Sequence, residues 1–266
     1  MAAGSEAPLL ACKNLTKHFG ALAAVDGLSF EIAAGESLGI GGPNGAGKTT
    51  LFDLLSGFVR ATSGCIEFAG TDVTHLAPER ICQLGMARTF QLNAGFDSLT
   101  VRENVLVGAY FGRRDRIVPS LRVDAGSLRR ADEVLEVVGL SAKADVVVSM
   151  LSVLDRKLLM IATALATGPK LLLMDEPVGG LTPREIDRIV EVVRGLKGTG
   201  ITIVLIEHVM RFLIQLSGRI LIMHHGERIY DGSPSELSRD RTVVEVYLGA
   251  ATAASLAAGP GAATHG

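Results

Sequence analysis

The run GGPNGAGKTT at residues 41–50 sets Gly42, Gly47, Lys48 and Thr49 at fixed spacing. Small residues let consecutive backbone N–H groups curl round an anion, and a helix starting there points its positive end at the same spot. Gly42, Pro43, Asn44, Gly45, Ala46, Gly47, Lys48, Thr49 and Thr50 are therefore candidates to hold a nucleotide polyphosphate. In that role Lys48 reaches the β- and γ-phosphates and the Thr49 hydroxyl ligates Mg²⁺. An ordinary glycine turn would use the same residues. What favours a phosphate loop is the context, an expected strand before and an expected helix after.

A second cluster is Asp175-Glu176, which closes the apolar run Leu171-Leu172-Leu173-Met174. Open α/β sheets bind ligands at the carboxyl ends of their strands. There Asp175 could hold Mg²⁺ and Glu176 could act as general base on an attacking water. The plainer alternative is that both carboxylates simply begin a loop and face solvent. His208 follows the next apolar run, in IVLIEHVM, where it could be structural alone or contact a γ-phosphate. His224 and His225 read as turn residues without chemistry.

These groups need strands and helices to position them. ESLGI (36–40) runs into the glycine loop, and KTTLFDLLSG reads as a helix stopped by Gly57. LSFEI (28–32) and CIEFAG (65–70) alternate as half-buried strands do. KLLLMDE (170–176) and ITIVLIE (201–207) are continuous apolar strands, suited to a parallel sheet interior. LTVRENVLVGAY opens on Thr100 and Glu103 at capping-box spacing, and SLRRADEVLEVVGL (127–140) is helical up to Gly139. In TPREIDRIVEVVRGL the cap is Thr182, with Pro183 first and Glu185 third. RILIMHHGERIYDG predicts a strand, a turn at His225-Gly226 and a returning strand, and SPSEL (233–237) repeats the cap-Pro-x-Glu helix start. The pattern is α/β, with a mostly helical lobe over about 95–165. Residues 1–8 and the Ala/Gly-rich 250–266 read as flexible ends around a domain at 9–249.

The chain has 266 residues, enough for a substantial core, and a net charge of −2, which advertises no surface for nucleic acid. Cys12, Cys65 and Cys82 are scattered, with no disulfide or zinc spacing. Mean hydropathy is high at +0.35. Yet no apolar run reaches the ~20 residues of a membrane span, and the start of the chain has no signal-peptide pattern. Such composition suits a sheet buried on both faces and a subunit interface.

Taken together, GPNGAGKTT, LLLMDEP and IEH at these intervals resemble an ABC-transporter ATPase subunit across residues 9–249. The finer wording in ARTFQ (87–91), LTVRENVLVGAY (99–110) and VVEVYLG (243–249) is similar to the branched-chain amino acid importer group. Urea and amide importers and lipopolysaccharide-export ATPases are worded similarly. The resemblance implies a P-loop NTPase fold of ABC type: a mainly parallel core sheet, an antiparallel β subdomain and a helical lobe. It implies ATP and Mg²⁺ as ligands and ATP hydrolysis coupled to transport. Its partners would be a second ABC ATPase subunit, transmembrane permeases and, indirectly, a periplasmic solute-binding protein, at the cytoplasmic face of the cell membrane. By the same resemblance Phe19 matches the adenine-stacking aromatic, and Gln91 the residue that touches Mg²⁺ and the attacking water. Glu176 matches the catalytic base and His208 the switch histidine.

One motif departs. Leu151, Ser152, Val153, Leu154 and Asp155 occupy the signature that, in this family, caps the γ-phosphate held by the opposite subunit. Leu154 stands in place of a glycine that lets backbone approach a phosphate closely. Thr182 replaces a common Asp or Asn, and Thr163 an expected arginine. Ser152 and Asp155 also suffice as the cap of a buried helix. The departure predicts an asymmetric heterodimer with one slow site. A soluble ABC ATPase or a weakly hydrolysing regulatory subunit is the alternative.

Overall fold

A computed structural model describes residues 7–90, 95–112 and 124–248. In chain order it runs β1 (Leu10–Phe19), β2 (Leu22–Ile32), β3 (Ser37–Gly41), α1 (Lys48–Leu55), β4 (Ser63–Phe68), β5 (Thr71–Asp72), α2 (Pro78–Leu84) and β6 (Met86–Arg88). The helices α3 (Val101–Phe111), α4 (Ala125–Val138) and α5 (Val153–Ala166) follow. Then come β7 (Leu171–Asp175), α6 (Pro183–Lys197), β8 (Thr202–Ile206), α7 (Met210–Leu216), β9 (Arg219–His224), β10 (Glu227–Gly232) and α8 (Arg241–Leu248).

The strands form two sheets. One has the order β2-β1-β4-β5 and is antiparallel. The other has the order β10-β9-β3-β8-β7-β6 and is parallel except for the β9–β10 hairpin. The alternation of side chains along a strand divides the core in two. Leu171 and Leu173 of β7, with Val204 and Ile206 of β8, pack with α1 and the antiparallel sheet around Phe30, Phe52 and Phe68. Leu172, Met174, Ile203 and Leu205 face the other way, onto α6, α7 and the helical lobe. The core sheet is thus buried on both faces, which is why β7 and β8 read as apolar runs.

In the lobe, α3, α4 and α5 pack around Val105, Val134, Leu135 and Leu158. The capping box is formed, with Glu103 N donating to Thr100 Oγ1 at 3.2 Å and Thr100 N donating to Glu103 Oε2 at 2.7 Å. The turn at His225-Gly226 is also present, with φ of 48° and 83°.

Two local expectations change, and three elements were not expected. CIEFAG does not stay extended to Gly70, because Ala69 and Gly70 adopt positive φ and turn the chain into β5. SPSEL starts no helix: Glu236 N donates to Ser233 O at 3.2 Å in a tight turn, a 3₁₀ turn covers Leu237–Arg239, and the helix waits until Arg241. β1, β6 and α2 carry too little periodicity to stand out in the sequence; β6 has only three residues and owes its state to pairing with β7.

Candidate nucleotide site

β3 is the centre of the core sheet, flanked in parallel by β8 and β9. Its end delivers the chain into the glycine loop, and α1 begins directly at Lys48. Two glycines there are sterically required. A Cβ on Gly42 (φ 143°) would lie 2.2 Å from Met223 O, and one on Gly47 (φ 98°) 2.0 Å from Ala24 O. The loop is braced from outside, since Gly226 N donates to Ala46 O at 3.1 Å. Ala46 is buried while Asn44 and Gly45 are exposed. Lys48 Nζ crosses the loop to donate to Gly42 O at 2.7 Å and Pro43 O at 2.9 Å. Burial pulls the Lys48 ammonium below its usual range, against the opposing pull of Glu176 and Asp175. No side chain caps α1 and no acid lies in its first turn, so the positive end of the helix is not neutralised. Thr49 is exposed and Thr50 half-buried at that end.

The acidic pair emerges two strands away. Asp175 is 2% exposed, and Arg88 Nη2 donates to its Oδ2 at 2.9 Å. Burial raises the Asp175 carboxyl and Arg88 opposes the rise; the net direction is upward. Asp175 Oδ1 is buried with no hydrogen-bond partner. Glu176 has φ 44°, unusual for a residue with a side chain. That backbone is held on both sides: Glu176 N donates to Ile206 O at 3.0 Å, and Lys157 Nζ of α5 donates to Glu176 O at 2.9 Å. His208 comes from the end of β8, exposed, with Nδ1 3.6 Å from Glu176 Oε1.

The structure also assembles residues that sequence reasoning passed over. Glu207 is wholly buried, and its carboxylate accepts from Val178 N at 3.1 Å and His208 N at 3.2 Å. It thereby ties the loop after Glu176 to the histidine segment, and burial raises its carboxyl. A charge after an apolar strand is a legible signal, but its buried orientation is not. Arg88 lies in ARTFQ, a pattern that by itself gives the arginine no role.

The remaining candidates lie elsewhere. Phe19 ends β1 and is half exposed, with Lys17 Nζ 4.9 Å from its ring centre. Five residues on, Ala24 meets Gly47 of the phosphate loop. Gln91 lies outside the described residues. Ser152 caps α5, its hydroxyl accepting from Asp155 N at 3.1 Å. Asp155 is buried and bound by Lys143 Nζ at 2.5 Å. Val153 is 54% exposed, whereas Leu154 is half-buried against the lobe core. Thr163 Oγ1 bonds back to Leu159 O at 2.9 Å, and Thr182 caps α6 with Glu185.

A strand, glycine loop and helix with lysine and hydroxyl in place, facing paired carboxylates at the ends of parallel strands, define a P-loop nucleotide-binding ATPase. Residues 25–179 match the ABC transporter family, and the chain belongs to that family. It is 36% identical to the high-affinity branched-chain amino acid transport ATP-binding protein LivG of Salmonella typhimurium, over 92% of this chain and 99% of that one. With BraF of Pseudomonas aeruginosa, which carries the same description, identity is 32% over 92% and 99%. Among solved structures, an ATP-binding cassette of an ABC transporter in its ADP conformation superposes with a TM-score of 0.83 at 32% identity, covering 92% of this chain and all of that one. A nucleotide-free cassette superposes with a TM-score of 0.82 at the same identity, over 91% of this chain and 99% of that one. The chain is thus a nucleotide-binding ATPase with the mixed α/β fold expected of this family.

Proposed function

We propose that this chain is the ATP-binding and hydrolysing subunit of an ABC importer for branched-chain amino acids or a related small polar solute. It would work at the cytoplasmic face of the cell membrane with permeases, a second ATPase subunit and, indirectly, a periplasmic solute-binding protein. The observation that carries the hydrolytic part is the approach of Glu176 and His208 at the ends of adjacent strands. The solute class rests on likeness to LivG and BraF along nearly the whole chain. Among the described residues no helix is long and apolar enough to cross a membrane, which fits a subunit that depends on separate permeases.

Each residue then has a task. Phe19 stacks on the adenine, and the amides of residues 42–50 with Lys48 hold the phosphates. The partnerless Asp175 Oδ1 and the exposed Thr49 hydroxyl are hard oxygen donors that suit Mg²⁺, with Gln91 as a third. The ion, when bound, supplies charge stabilisation to the phosphates. Glu176 takes the proton of the attacking water, and His208 orients that carboxylate and contacts the γ-phosphate.

A cavity of about 510 Å³ opens between the core sheet and the helical lobe, walled by Phe58, Phe90 and Met160. It offers apolar side chains of a permease a seat. The second ATPase subunit supplies an intact signature facing this chain's phosphate loop, and the site closed by Leu154 turns over slowly. In the assembled complex Glu176→Gln then removes most ATPase activity, whereas the matching change in the partner does not; equal losses refute the asymmetry. A regulatory subunit with weak hydrolysis is the second reading, favoured by Leu154 alone, and a turnover assay on the complex separates the two.

A further inference from the structure

Arg88 stands on edge strand β6 between that cavity and Asp175. Its side chain is 6% exposed. Nη1 donates to Asp53 Oδ1 at 2.6 Å and to Ser56 Oγ at 3.1 Å, and Nη2 donates to Asp175 Oδ2 at 2.9 Å. Asp53 and Ser56 belong to α1 and its end, the helix that starts at Lys48. The guanidinium carbon also lies 5.2 Å from the Phe90 ring centre, 5.6 Å from Phe52 and 6.0 Å from Phe58. Phe58 and Phe90 meet edge to face at 5.4 Å, and both reach the cavity surface. One planar cation therefore touches the phosphate-loop helix, the buried carboxylate and the two rings of the docking wall.

The charge count is informative. A single guanidinium serves two carboxylates, so the trio keeps a net negative charge and Asp175 retains attraction for another cation. Oδ2 is taken by Arg88, and Oδ1 is the oxygen left over. Lysine could supply the charge but not a fork that spans two carboxylates while stacking on rings.

We propose that Arg88 is a positioning residue that fixes Asp175 for magnesium and carries movement of Phe58 and Phe90, on docking of a permease, to that carboxylate. The proposal rests on the reading of Asp175 as a metal-holding residue and of the cavity as the permease seat. The competing view is that the fork merely knits α1 to the sheet.

The test uses the full-length chain and a fluorescent ATP analogue, with affinity measured in Mg²⁺ and in EDTA and folding checked by thermal melting. In Arg88→Gln the gain in affinity given by Mg²⁺ falls about tenfold, while affinity in EDTA stays within about twofold. Arg88→Lys does not restore the gain. Phe90→Ala lowers it by about threefold, and Phe111→Ala, an exposed ring that does not touch Arg88, leaves it alone. Should Arg88→Gln fail to fold, Asp53→Asn, which frees one arm of the fork, is expected to lower the gain in the same sense. An unchanged gain in Arg88→Gln, or in Asp53→Asn if it stands in, overturns the proposal, as does full rescue by lysine. An unchanged Phe90→Ala overturns the link to the cavity. A wild-type chain with no magnesium-dependent gain would overturn the reading of Asp175 itself; a wild-type gain that survives every substitution removes only Arg88's role.

Discussion

His208 Nδ1 lies 3.6 Å from Glu176 Oε1, and the two side chains leave adjacent parallel strands at the same edge of the sheet. The register of β7 on β8, ending at Asp175↔Ile206, dictates this meeting. At that separation the contact is longer than a full hydrogen bond, so there is room for the two side chains to tighten around substrate. Glu176→Gln should lower the turnover rate by about 10²–10³-fold while ATP still binds, and His208→Ala by about 10–10²-fold. On the proposed roles, in which His208 orients Glu176, the double variant should be little worse than Glu176→Gln alone. Single-turnover hydrolysis measures all three, and multiplicative losses would show that the two side chains act separately.

Gly47→Ala tests the phosphate loop more sharply than a charge change. The new methyl would lie 2.0 Å from Ala24 O, and φ is 98°. Left-handed backbone alone costs a residue with a side chain about 1–2 kcal/mol, and β2 must move besides. ATP binding should be lost to calorimetry and the melting temperature should drop. Gly45→Ala meets nothing within 4 Å and should lose much less of both.

Phe19 has an exposed face and no core to fill. Phe19→Ala should therefore leave thermal stability nearly unchanged and raise KM for ATP by about three- to tenfold, as loss of one aromatic stack does. Phe19→Tyr should behave as wild type. If the alanine variant melts early with KM intact, the ring is packing rather than nucleotide-binding.

Asp155 gives a pH signature at the start of α5. Burial opposes its ionisation, but Lys143 and the Ser152 hydroxyl outweigh that, and its carboxyl ends below the ordinary 3.8. A folded value below the unfolded one stabilises the protein above the ordinary range, and the benefit disappears as pH falls through the folded value. Asp155→Asn should cost about 1 kcal/mol at neutral pH, Lys143 being half exposed and partly screened. Denaturant melts of wild type and variant should converge as pH falls through the folded value of Asp155. A constant gap down to acid would assign the effect to shape rather than charge.

Much of this was legible in the residues. GGPNGAGKTT declares itself because the backbone conformations it needs are ones only glycine adopts freely, and the apolar runs before Asp175 and Glu207 declare strands buried on both faces. Arg88, Glu207 and Lys157 were not legible as site residues. Each acts through a contact 19 to 87 residues away in the chain, set by strand order rather than by local pattern. The short β6 is strand only because β7 lies beside it. The turn at SPSEL shows the converse: a correct cap motif starts no helix when Glu236 N donates to the Ser233 carbonyl in a turn rather than to the Ser233 hydroxyl.

Leu154 tests the proposed change of signature. It is the second residue of α5, half-buried on the lobe core, while its neighbour Val153 faces outward. The leucine thus contributes to packing as well as standing at the helix end that, in the proposed dimer, turns toward the partner's nucleotide. Leu154→Gly should lower stability by about 1–2 kcal/mol, from lost burial and from glycine in a helical turn. If the side chain restrains close approach of that helix end to phosphate, the same variant should nonetheless raise ATPase activity of the assembled complex. Opposite movement of melting temperature and turnover in one variant is a result that packing alone does not produce. A fall in both would make Leu154 a lobe residue tolerated at a working site.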